Sequence, residues 1–306
     1  MKEGRNPHEA DSWWQESAFL AWYDEARGIG GIHRLGTEIN RGTANMWCGI
    51  FKKGGASFRL NQQDLPYVDM GDGGFGCGPQ RLAIDGSGLH WSLDTPEAAV
   101  NVTISDYASD NLWHGGGGKT LELSERAHYH SICSVVGTVR LGNETIEVNG
   151  VGWRDHSYGV RHWDKVMHHR CVCGSFARDH ALDFMSWLGI DGTLVHGGFE
   201  IRGGVKTPIE QFDLTVPIDE DGISARSADV KGTLPSGQPF VAHFDAAGAV
   251  LVETHAYLGI EAVGIVTLST GERGFGYMAV SNNARLGRGF PPLVLHALWE
   301  NGLKRS

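Results

Sequence analysis

Apolar and polar residues alternate in short runs through almost the whole chain, and helical periodicity is nearly absent. Runs at 32–40, 45–51 and 56–60 are separated by the glycine-bearing turns R-G-T-A and K-K-G-G. Others follow at 80–84, 89–93, 99–107 and 121–141, the last ending in the turn G-N-E. The pattern continues at 166–177, 181–190 and 194–201, where D-G-T at 191–193 is a hairpin signal. It ends with runs at 209–216, 225–234, 240–245, 250–258, 264–268 and 273–281. Short strands at regular spacing with turn signals predict an all-β fold, sandwich or barrel. Two short terminal helices are the expected exceptions. One is at 11–25, capped by Asp11 or Ser12 with Glu16 behind it; the other is at 291–303, beginning after Pro292. The turn and glycine cluster at 142–152 is the expected boundary between two β domains of similar length, 1–147 and 148–306.

Composition narrows the class. Of 306 residues, 41% are hydrophobic, enough for a substantial core, and 44 glycines against 10 prolines fit tight turns rather than disorder. A net charge of −10 repels a phosphate backbone, so nucleic acid is not an expected partner. The N-terminus has no apolar signal region, and no run of about 18 apolar residues offers a transmembrane segment. The cysteines at 48, 77, 133, 171 and 173 are odd in number and lack zinc-finger spacing, which predicts a reduced, cytoplasmic setting. Whether the chain forms homo-oligomers stays open.

Candidate chemistry concentrates at 148–164, V-N-G-V-G-W-R-D-H-S-Y-G-V-R-H-W-D. Arg154, Asp155, His156, Tyr158, Arg161, His162, Trp163 and Asp164 are too many ionisable and aromatic groups for a core strand. They suit a cavity wall, or a structural ion-pair network built on Asp155 and Arg161. In the next hairpin Ala181, Asp183, Met185 and Trp187 share one face by alternation, with His196 on the following strand. A carboxyl beside Met185 and Trp187 would have a raised pKa and could act as a general acid.

Other motifs weaken on inspection. Gly71-x-Gly73-x-x-Gly76 is followed by Gly78 and Pro79 rather than a helix, so it reads as a glycine turn. The run at 115–118 before Lys119-Thr120 lacks the first P-loop glycine, since position 113 is Trp113. His168, His169, Cys171 and Cys173 lie along one strand, which is poorly suited to gripping one tetrahedral ion, so no metal ligand is assigned. His128 and His130 share a strand face opposite Tyr129, and a solvated surface explains them as readily as a site does.

The stretch G-W-R-D-H-S-Y-G, with a hairpin reading F-M-S-W, resembles the D-H-x-[WY] signature of the lipocalin-like carotenoid hydratase and kievitone hydratase superfamily. Fungal lipocalin-like Diels–Alderases have a similar scaffold. The resemblance implies two lipocalin-like antiparallel β-barrel/sandwich domains packed side by side, the signature opening the second. It also implies that Asp155, His156, Tyr158 and Trp187, with His196, contribute to protonating a C=C bond. Ser157 departs from the pattern, standing where the hydratases often have an acid.

Together these readings predict a cofactor-free acid–base enzyme, a lyase (hydratase or dehydratase) or an isomerase or cyclase. Its substrate would be a hydrophobic terpenoid, polyene or polycyclic small molecule. Asp155 or His156 would donate the proton, Tyr158 and His162 would relay or position, and Arg161 would fix Asp155. Trp153, Trp163 and Trp187 would line the pocket with Asp183, Met185 and His196. The alternatives are a lipocalin-like carrier of a lipophilic molecule and, more weakly, a metal-dependent enzyme using the histidines.

Overall fold

The computed structural model describes residues 5–6, 9–107, 112–113, 125–220 and 224–283. Its described elements are strands apart from the 3-10 turns Ile39–Arg41, Gly71–Gly73 and Trp163–Lys165. No helix among the described residues is long and apolar enough to cross a membrane.

The first sheet contains β1 (Trp14–Asp24), β2 (Ile29–Glu38), β3 (Thr43–Lys52), β4 (Ser57–Leu65), β5 (Tyr67–Asp69) and β6 (Gly74–Cys77). It continues with β7 (Gln80–Asp85), β8 (Gly88–Asp94), β9 (Ala98–Asp106), β10 (Leu112–Trp113), β11 (Glu125–Leu141) and β12 (Glu144–Val160). The order is β4-β3-β2-β1-β12-β11-β9-β8-β7-β6-β5, with β10 beside β11. The sheet curls so that Phe75, Cys77, Leu82 and Trp91 close over Leu20, Leu35 and Met46 in one buried core. Gly74 permits the tightest step: its φ is +113°, and a Cβ there would stand 1.9 Å from the Leu82 carbonyl oxygen.

The second sheet contains β13 (Val166–Ala177), β14 (His180–Gly189), β15 (Leu194–Arg202), β16 (Val205–Ile209) and β17 (Phe212–Thr215). It is completed by β18 (Ser227–Thr233), β19 (Pro239–Thr254), β20 (Tyr257–Leu268) and β21 (Arg273–Asn283), in the order β16-β15-β14-β13-β21-β20-β19-β18-β17. Its enclosed core is apolar: Val172, Phe184, Phe212, Phe240, Phe244, Met278 and their neighbours. Both sheets follow one plan, in which the first strand pairs antiparallel with the last. The all-β expectation of two nearly closed antiparallel barrels holds.

Two expectations at the element level meet a different outcome. Residues 11–25 form no helix; Trp14–Asp24 is a strand with all eleven residues buried. Burial on both faces removes the alternation that marks a strand. Asp11 instead shapes the turn into it, its side chain accepting from the Trp13 N–H (2.7 Å) and its carbonyl from Trp14 (3.0 Å). The 147/148 boundary falls inside β12, which is continuous from Glu144 to Val160 and hydrogen-bonded to β1 and β11. The compact units divide between His162 and Trp163, so the 148–164 stretch belongs almost wholly to the first. The closing helix at 291–303 lies outside the described residues.

Candidate functional site

The site is built by the β11–β12 hairpin. Leu141 pairs with Glu144 across the two-residue turn Gly142-Asn143, where Gly142 has φ +61°. Counting back from that turn sets His130 opposite Asp155 and His128 opposite Ser157. The pleat then puts His128, His130, Trp153 and Asp155 on one face. His128 Nε2 lies 3.1 Å from His130 Nε2 and 3.5 Å from the Asp155 carboxylate. The Trp153 ring stands edge-on to His130 (4.4 Å between centroids) and to Phe19 of β1 (5.6 Å). Arg161 adds its guanidinium from the end of β12, donating to the Ser17 (3.3 Å) and Ser157 hydroxyls.

This arrangement sets the charge on Asp155. Burial pushes its pKa up, but the His128 hydrogen bond and the charges of His128, His130 and Arg161 hold it below the ordinary carboxylate value. Asp155 is therefore an anion at neutral pH. As placed, it accepts protons rather than donating them.

His156 is the next residue and faces the other way. On the enclosed face its Nε2 lies 3.1 Å from Glu16, which also pairs with Arg5 (3.1 Å) and accepts from the Asn6 side chain (2.8 Å). Tyr158 shares that face, its ring 6.3 Å from Trp14. Nearby, Arg154 holds Asp106 through Nε at 2.7 Å, and the Tyr129 hydroxyl donates to the same carboxylate at 2.9 Å. Asp155 and His156, expected to act together, are thus separated by the thickness of the sheet. His162 rests beside Trp13, with centroids 6.0 Å apart.

In the second unit Asp183 and Met185 are buried and Trp187 is half-buried, all on the predicted common face. Opposite them on β13 are Cys173, Cys171 and His169. Cys173 Sγ lies 3.1 Å from Asp183 and 3.5 Å from Cys171 Sγ, and the His169 ring lies 4.1 Å from Trp187. Burial is the first cause pushing the Cys173 thiol well up. Trp163 stands edge-on to Tyr257 at 5.4 Å. His196 does not join this face; it pairs with Ser186, is exposed, and stacks on Phe212 at 3.9 Å. His168 is half-buried, and burial with the Arg170 charge lowers its pKa.

Sequence reasoning passed over several groups. Glu261 accepts hydrogen bonds from the Tyr257 (2.8 Å) and Tyr277 hydroxyls, all three buried. The role of His128 and His130 depended on hairpin register, which the turn at 142–143 already encoded. Two sets of described residues bring donor atoms close enough to hold a metal ion: His128, His130 and Asp155, and Cys171, Cys173 and Asp183.

A family model described as a domain of unknown function, DUF7064, matches residues 1–284. The chain belongs to this family. No curated protein matches it. Among solved structures, one carrying the name AttH from Nitrosomonas europaea aligns with a TM-score of 0.62 at 13% identity, over 88% of this chain and 92% of that one. Kievitone hydratase from Nectria haematococca aligns at 0.61 and 8% identity, over 88% of each chain. CghA aligns at 0.56 and 10% identity, over 89% of this chain and 88% of its own, and is also known in a structure with Sch210972. This DUF7064 member has their two-barrel, lipocalin-like fold.

Proposed function

We propose that this DUF7064 protein is a proton-transfer enzyme acting on a C=C bond of a hydrophobic small molecule. The observation that carries this reading is the contact between two imidazoles and an ionised carboxylate beside Trp153 and Phe19. Two Nε2 atoms 3.1 Å apart need one proton between them, and the Asp155 anion favours the imidazolium that carries it. The pair delivers that proton to an alkene carbon, and the indole face of Trp153 stabilises the cation that develops. Loss of a proton, addition of water or ring closure then completes an isomerisation, hydration or cyclisation. Arg161 positions the strand end and helps keep Asp155 ionised. His156 and Tyr158 support the barrel interior instead. Trp163, Asp183, Met185 and Trp187 belong to the second unit and are given no part in this reaction. At the level of fold only, the neighbours named for a hydratase and for a complex with Sch210972 support the same class.

Native mass spectrometry of freshly purified protein should reveal a co-purifying lipophile. That molecule, incubated with the enzyme in deuterated water, should gain deuterium at carbon, and His130→Asn should abolish the exchange while still binding it. Binding without exchange in the wild-type protein would instead make it a carrier.

A further inference from the structure

The group formed by Cys171, Cys173 and Asp183 is not used by the proton-transfer chemistry. Along one strand two cysteines cannot enclose an ion, because tetrahedral sites draw ligands from several elements. Register removes that objection. β14 runs beside β13 with Asp183 directly opposite Cys173 and Met185 opposite Cys171, so a carboxylate joins the two sulfurs from a second strand. The three donors converge, with Sγ–Sγ at 3.5 Å and Sγ–Oδ1 at 3.1 Å. A tetrahedral zinc site with Zn–S bonds of about 2.3 Å has S–S edges of about 3.8 Å, so an outward shift of a few tenths of an ångström would admit the ion. All three side chains are buried. Their neighbours on the sheet are Tyr277 beside Cys173, Ala279 and Met185 on either side of Cys171, and Phe199 beside Asp183.

We propose that Cys171, Cys173 and Asp183 form a zinc site with a fourth position open to water or another small donor. Binding would form two Zn–S bonds and one Zn–O bond, while each thiol loses its proton to solvent. The bound set then carries one net negative charge: two thiolates and one carboxylate against Zn²⁺. Lys206 of β16 is placed to offset it, since its ammonium lies within the field of Asp183 and 4.0 Å from the ring of Phe199, the residue that pairs with Asp183. Thiolates favour zinc over magnesium or calcium, and the carboxylate disfavours copper(I). The site is independent of the proton-transfer reading.

Cobalt(II) is the test ion, because only thiolate ligation gives it a strong near-ultraviolet charge-transfer band. Full-length protein stripped with chelator should take up cobalt with that band saturating at one equivalent, and zinc should displace it. About two protons should be released per zinc bound, as expected when two thiols become ligands. Cys171→Ser and Cys173→Ser should each remove the band. Asp183→Asn should weaken cobalt binding at least about tenfold while the band persists. His130→Asn should leave the band unchanged, which separates this site from His128, His130 and Asp155. Should the cysteine variants fail to fold, the wild-type titration decides alone. A wild-type protein with no charge-transfer band, or a band surviving both cysteine changes, overturns the proposal.

Discussion

The two barrels fill their interiors differently. In the first, the enclosed face carries Glu16 with Arg5 and His156, Arg154 with Asp106, and His33 between Trp22 (3.2 Å) and Gln80 (3.2 Å). In the second, Val172, Phe184, Phe212, Phe240 and Phe244 fill most of the enclosed face, with the buried pair His180–Glu200 (3.3 Å) beside Leu182 at its edge, and Asp183, Cys171, Cys173, Tyr277 and Glu261 sit on the opposite face. Buried ion pairs add little net stability, but each leaves a costly charge when its partner is lost. A dry core loses stability by area and cavity instead. One interior should therefore fail by broken pairing and the other by lost volume.

The largest effect should come from outside both interiors. His128→Asn or His130→Asn should lower turnover about 10²–10⁴-fold in the deuterium assay with little change in melting temperature. A comparable drop from His156→Asn would instead favour the enclosed face as the reacting one.

Next come the two interiors themselves. Glu16→Ala should cost about 3–5 kcal/mol by leaving Arg5 and His156 buried without it. Phe184→Ala should cost a similar 3–5 kcal/mol by opening a cavity against Phe212 and Phe240. Denaturant titrations should tell them apart. Adding His156→Ala to Glu16→Ala should be non-additive by about 0.5–3 kcal/mol, whereas a distant apolar truncation added to Phe184→Ala should sum.

The pH response should be smaller and confined to one side. Burial lowers the His33 pKa to about 4, with the Gln80 hydrogen bond opposing. A folded value below the unfolded one means that the unfolded chain binds the proton first. Stability is therefore lost as pH falls from 6.5 towards 4, by about 3 kcal/mol in order of magnitude. Hydrogen exchange should show β2 amides loosening over this range before those of β20.

The smallest effect should be at the exposed pair His243–Asp229. The Asp229 hydrogen bond raises the His243 pKa, so its contribution is full below pH 6.5 and fades as pH rises through the folded value. Asp229→Asn should shift stability by no more than a few tenths of a kcal/mol after screening.

Much of this molecule could be read from its residues. The alternation through 181–187 located Asp183, Met185 and Trp187 correctly on one face, and turn signals exposed the β architecture. Failures arose where burial is two-sided or where pairing is long-range. Trp14–Asp24 has no alternation to read, because both its faces are covered. The 148–164 stretch read as one cavity wall, although a strand sends Asp155 and His156 to opposite sides. His128 and His130 found their meaning only with Asp155, whose pairing depends on the turn at 142–143.

The pairing of β1 with β12 also has a consequence for how the chain comes into being. Trp14 must wait for Val160, so this apolar strand is made long before its partner. Throughout that interval one edge of a strand bearing Trp14, Phe19, Leu20 and Trp22 offers unpaired amides and carbonyls to any neighbour. Sheets closed by such distant contacts assemble slowly. The nascent first barrel is thus the stage at which this protein is most exposed to aggregation, and the stage at which a chaperone would gain most by holding it.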